Sequence, residues 1–209
     1  MAVFLVFLFV FWIGAWLLEQ WLVSSYGFLS TSSSQFFYWL VMKLVLWVVP
    51  ALLVIRWMGR RISEVMGVGR LRSILVWGGG VGLILAVLDI GSHMVFHQSW
   101  NLFGDVWVVV SVVVVSPVVE ELVFRGVVLG GLMSRYSFWV ANVVTAVLFV
   151  GIHLPGWFFQ GVLVQNLVSP LGGAVSIFVL GVVFGYVAFR SRAVTGSILS
   201  HALNNLFSG

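Results

Sequence analysis

The sequence of 209 residues has no cysteine, four prolines and only six acidic residues. Without cysteine there can be no disulfide framework, no thiolate nucleophile and no cysteine-ligated metal. Charged residues make up 8% of the chain, against roughly 25% in an ordinary soluble domain. That shortage excludes a soluble globular enzyme, and a hydrophobic content of 62% excludes a disordered chain. With a mean hydropathy of +1.17, nothing is left to coat a water-facing surface, so lipid must be the solvent. The net charge of +4 does not point to nucleic acid. In a membrane protein, basic residues mark cytoplasmic loops and meet anionic lipid.

Seven apolar spans (six to eight allowing for a doubtful piece) predict an all-α, polytopic transmembrane helical bundle. The first is about Ala2–Leu18, without a basic leader or a small-residue cleavage site, and reads as an anchored helix. The second is about Phe36–Ile55, with Lys43 inside it and Pro50 as a possible kink. A basic loop, Arg56–Arg72, precedes the third at about Ile74–Ile90. The fourth runs from Val106 to about Met133, roughly 40 Å of helix, so it must tilt or bend, with Pro117 the natural place. The fifth, about Trp139–Leu154, should stop at Pro155. Residues 156–171 read as interfacial or half-spanning. The sixth is about Leu171–Phe189, and the seventh, about Val194–Phe207, is short. No internal repeat is visible. Residues 1–105 form an N-terminal part of three spans and 106–209 a core, within one integral membrane domain.

Eight of the ten Lys and Arg fall at Arg56–Arg72, at Arg135, and at Arg190 with Arg192. Seven alternating spans put all of them on one side. The positive-inside rule makes that side and the N-terminus cytoplasmic, in a cell membrane.

Against this background Glu120, Glu121 and Arg125 stand out in the middle of the fourth span. Each costs roughly 2.5–3.5 kcal/mol at a helix centre unless paired or hydrated, and such residues default to a functional role. Glu121 and Arg125 are four apart with the acid first, the favoured order for a helical ion pair. Glu120 is turned by about 100° and meets only Phe124 at i+4. His153 near the end of the fifth span lies as far from the cytoplasmic end as Glu120, about 22 Å in two antiparallel helices. His201 and Asn205 share a face of the last span, with Asn204 as an alternative. The bland readings are an ionic knot and interhelical hydrogen bonds. Their coincidence on three late helices favours a site.

The remaining polar residues read blandly. His93 and His97, near Gln98, Trp100 and Asn101, suggest an interfacial belt rather than a metal pair. Asp89 reads as a residue of the third span with cavity lining as its alternative, Lys43 has no partner visible in the sequence, and the eleven Trp read mostly as lipid-facing or interfacial anchors.

Three motifs carry a resemblance. Glu120 to Gly126 reads EExxxRG, Phe149 to His153 reads FxxxH, and His201 to Asn205 reads HxxxN. In this order, with Gly181-Val-Val-Phe-Gly185 and Thr195-Gly196-Ser197 before His201, residues 110–209 resemble the CPBP family of intramembrane proteases, comprising CAAX prenyl endopeptidases and bacterial proteins linked to bacteriocin processing and immunity. The resemblance implies an intramembrane endopeptidase in which Glu120 and His153 activate water, His201 and Asn205 stabilise the oxyanion, and Arg125 holds the site together through Glu121. It implies a membrane-associated peptide or protein as substrate partner. Metal use is open: Glu120, His153 and His201 offer a zinc-type donor set, but no HExxH spacing exists, and a metal-free Glu/His mechanism is the alternative. Two rival functions remain, a non-catalytic scaffold or immunity protein on the same fold and a proton-coupled transporter. The absent inverted repeat speaks against transport.

Overall fold

The computed structural model describes residues 1–96, 104–170 and 172–208. Every element among them is helical: α1 (Ala2–Tyr26), α2 (Ser32–Trp57), the short α3 (Ile62–Met66), α4 (residues 71–96), α5 (Val106–Leu132), α6 (Phe138–Gly151), α7 (Leu154–Phe159), α8 (Leu163–Val168), α9 (Ala174–Ser191) and α10 (Val194–Phe207). Among the described residues six stretches are long and apolar enough to cross a membrane; the expected seventh, α10, has 14 residues and is shorter than these. His97, Gln98, Trp100, Asn101 and the expected start of the sixth span at Leu171 lie outside the described residues.

Local chemistry sets the helix ends. Gly27 closes α1 in the left-handed conformation (φ 60°), its N–H returning to Val23. Thr31 and Ser34 form a reciprocal capping box at the start of α2. Asp105 caps α5, accepting from the Trp107 N–H at 2.8 Å. The proline expected to bend α5 is accommodated differently. Wide i→i+5 turns run through Val110–Val115, directly before Pro117, and through Leu44–Val48, just before Pro50. A wide turn relieves the clash between a proline ring and the preceding turn, so both helices continue. Pro155 does not end the fifth span either. The helix breaks at Ile152–His153 and restarts with Pro155 in the first turn of α7, where a missing N–H costs nothing.

Glycine governs the packing around α10, which sits among α4, α5 and α9. A Cβ at Gly78 of α4 would run into the Gly196 carbonyl, and one at Gly82 would lie 2.6 Å from Leu203. On α9, Gly181 and Gly185 stand four apart against Ala146 and Asn142 of α6, the small-residue spacing by which membrane helices approach closely.

The tryptophans divide. Trp21, Trp57 and Trp139 are exposed as anchors would be, but Trp12 and Trp47 are buried. Trp12 is packed between Trp16, Trp39 and Trp47 at centroid distances of 4.8–6.4 Å and donates to the Ile152 carbonyl at 3.2 Å. The rings join α1 and α2 to the core half of the chain, a use of aromatic area that periodicity does not reveal. Met1 packs against Gly131 at the end of the bundle that also carries Arg60, Arg70, Arg190 and Arg192. The N-terminus and these arginines therefore share one end, as the charge pattern predicts.

The contact of α4 with α10 is testable with a matched pair. Gly78→Ala should lower the thermal midpoint in detergent by the equivalent of about 1–3 kcal/mol. Gly80→Ala, where a Cβ meets nothing within 4 Å, should be neutral or raise it slightly.

Candidate active site

Glu120 and Glu121 lie in the stretch of α5 that is buried on every side, from Val119 to Leu129. The turn between them sends the two carboxylates to different partners. Glu121 is fully buried. Its Oε1 accepts from Arg125 Nη1 at 2.9 Å and from His201 Nδ1 at 2.9 Å. Arg125 Nη2 donates to the Gly181 carbonyl at 2.8 Å. The guanidinium stacks over Phe149 at 4.7 Å. One carboxylate thus ties α5 to α10, and one guanidinium ties α5 to α9.

Glu120 points elsewhere. Its Oε1 is 3.5 Å from Lys43 Nζ of α2, which also donates to Ser116 Oγ at 2.5 Å. This answers the question of Lys43. A lone charge in an apolar span announces a partner, but sequence cannot name one 77 residues away.

Glu120, His153, His201 and Asn205 line one cavity of about 230 Å³, closed by Phe149, Phe184 and Leu180 among others. A second cavity of about 400 Å³ shares Glu120, His153 and Ser116 and extends between the tryptophans of α1 and α2. His153 stands at the break between α6 and α7, with its Nδ1 2.7 Å from the Phe149 carbonyl. A carbonyl can only accept, so Nδ1 carries the proton and a neutral ring keeps its Nε2 lone pair. His201 stacks on Phe184, centroids 4.5 Å apart, with Nδ1 occupied by Glu121. Asn205 Nδ2 donates to the Val112 carbonyl at 2.9 Å, leaving its second proton. Asn204 is buried and donates to Asn205 Oδ1 at 3.3 Å. The cavity lining therefore includes Asn205 and not Asn204. Asp89 and His93 stand on α4 outside that lining. Sequence reasoning missed Lys43, Ser116, Phe184 and the Gly181 carbonyl as parts of the site.

Glu120, His153 and His201 are the residues that would hold a divalent metal: they line one cavity, with each imidazole Nδ1 engaged and each Nε2 left over. Among the described residues no three His, Asp or Glu side chains converge as ligands. The Lys43 ammonium lies 3.5 Å from Glu120 Oε1 and supplies a positive charge beside that carboxylate.

A family model for the type II CAAX prenyl endopeptidase Rce1-like proteins matches residues 102–207, half of the chain. The chain belongs to the Rce1-like family. Membership places it among the CPBP intramembrane proteases, whose three motifs here converge on α5, α6–α7 and α10. The family is one of CAAX-type proteases embedded in a membrane, in agreement with the six apolar helices of this member. No curated protein and no solved structure matches the chain.

Removing one partner of a buried ion pair strands the other. Arg125→Met should destabilise the protein by about 3–5 kcal/mol. The double variant Arg125→Met/Glu121→Leu should recover much of that loss in the same thermal unfolding measurement in micelles.

Proposed function

We propose that the protein is an intramembrane endopeptidase that hydrolyses a peptide bond of a membrane-associated peptide or protein with water activated by Glu120 and His153. The observation that carries this reading is the shared cavity. It brings two acceptors, a carboxylate and an imidazole Nε2, to the same small space as a neutral amide donor on another helix.

The chemistry follows from those groups. Water placed between Glu120 and His153 donates to both, which aims its own lone pair at a carbonyl carbon. Glu120 takes a proton as the C–O bond forms, and the tetrahedral oxyanion develops against the free N–H of Asn205. His201 adds a second donor when its Nε2 is protonated, and its orientation is fixed by Glu121. The proton held by Glu120 or His153 then passes to the leaving amine as the C–N bond breaks. Lys43 is the counter-ion that makes an ionised Glu120 tolerable inside the bilayer. The apolar side chains of Phe149, Phe184 and Leu180 line the same cavity and lower the polarity around these charges. No step requires a metal.

The test is cleavage of a membrane-peptide library by the purified protein in liposomes, with new termini read by mass spectrometry. Wild type should generate them; Glu120→Ala and His153→Ala should not. Asn205→Ala should retain activity reduced by about 10²–10³-fold, the usual loss for one oxyanion donor. A chelator should leave wild-type cleavage unchanged. Equal product from wild type and Glu120→Ala would remove Glu120 from the reaction. Proton-coupled flux without proteolysis would favour a transporter, and a biological effect unchanged by Glu120→Ala a scaffold or immunity protein.

A further inference from the structure

A cavity of about 660 Å³ lies apart from the one lined by Glu120, His153, His201 and Asn205. It opens at the arginine-bearing end, between the C-terminal ends of α2, α5 and α9 and the start of α10. Arg60, Arg70, Arg190 and Arg192 line it, and Arg125 forms part of its floor. Glu64 is the one carboxylate in the lining, and its side chain accepts from the Arg61 backbone N–H. Among the described residues, no carboxylate lies within 4 Å of Arg60, Arg70, Arg190 or Arg192. Four arginines thus line one cavity with a single acid among them, in a chain that otherwise spends charge sparingly.

Two of the four are held in place by neutral groups. Arg60 Nη1 donates to the Gly126 carbonyl at 3.3 Å. Arg190 lies over Trp77 at 4.2 Å and donates to Tyr186 Oη at 2.7 Å. Both keep unused N–H donors. Arg192 shows a further cost. It is the only non-glycine residue with a left-handed backbone among the described residues (φ 54°), at the C-cap where glycine is normally favoured. Holding an arginine there is strained relative to glycine, which calls for a gain elsewhere. The N-terminal end of α10 borders the same cavity through Ala193 and Val194, without a side-chain cap, and adds its positive dipole end.

We propose that this cavity binds the phosphate headgroup of an anionic phospholipid. Guanidiniums match phosphate oxygens in a bidentate fork, and basic pockets between helix ends suit lipid headgroups. Exposed Met133 and Phe189 at the rim favour a lipid over a free phosphate, because they offer apolar surface beside the charge. Arg125 connects the floor to Glu121 and through it to His201, so occupancy at this end stabilises the frame on which the proteolytic site is built.

The test needs no substrate and so stands or falls apart from the protease reading. The full-length protein in neutral maltoside detergent is offered phosphatidylglycerol, phosphatidylcholine or inorganic phosphate. Retained lipid is measured by mass spectrometry, and the thermal midpoint is measured alongside. Wild type should retain phosphatidylglycerol preferentially and melt higher with it, and inorganic phosphate should not reproduce the shift. The Arg70→Gln/Arg192→Gly variant should lose retention by about 25-fold, taking about fivefold per arginine. Its midpoint in lipid-free detergent should be unchanged or higher, because glycine relieves the left-handed strain. Arg70→Gln alone, at an exposed position, should show the fivefold loss should the double variant fold poorly. Equal retention of the two lipids by wild type, or undiminished retention by both variants, would overturn the proposal. A shift matched by inorganic phosphate would replace the lipid with a soluble phosphate ligand.

Discussion

Glu121 Oε1 accepts hydrogen bonds from Arg125 and His201 at once, both at 2.9 Å, and the arrangement of the core depends on it. A carboxylate with no exposure to solvent is untenable in lipid unless its charge is matched. Arg125 matches the charge and extends the connection to the Gly181 carbonyl. Phe149 and Phe184 flank the guanidinium and exclude water from it. Helices α5, α9 and α10 are thereby fixed relative to one another by one cluster. The close helix contacts at Gly78, Gly181 and Gly185 bring the backbones near enough for these short bonds to form.

Glu120 has a different environment because one residue step turns a helical side chain by about 100°. It reaches a cavity instead of a knot, and its ion pair with Lys43 is longer, at 3.5 Å, with room beside it. The pairing also explains why the N-terminal helices matter to a motif-bearing half that begins near residue 106. Lys43 and the tryptophans of α1 and α2 form one wall of the space beside Glu120.

Much of this was legible in the sequence, for physical reasons. Long apolar runs can only be membrane helices, and charges within them are too costly to be incidental, so Glu120, Glu121, Arg125, His153 and His201 stood out. The i, i+4 spacing identified the Glu121–Arg125 pair because helical geometry is local. Contacts set by tertiary packing stayed hidden. Neither the pairing of Lys43 with Glu120 nor the bond from His201 to Glu121 has a local signature, and Asn204 and Asn205 were indistinguishable until the rotation of α10 was known. The wide turns before Pro50 and Pro117 were equally hidden, since the same residues also suit a simple kink. Burial of Trp12 and Trp47 depends on which face of α1 and α2 meets the core, which uniformly apolar helices do not encode.

The central claim is that adjacent carboxylates perform separate tasks, Glu121 holding the helices and Glu120 the chemistry. The most direct measurement compares Glu120→Gln and Glu121→Gln side by side, taking thermal midpoint and peptide cleavage on the same preparations. The account predicts that Glu120→Gln keeps a near-wild-type midpoint and loses cleavage, whereas Glu121→Gln loses stability first. Cleavage surviving in Glu120→Gln, or a Glu121→Gln protein as stable as wild type, would contradict it.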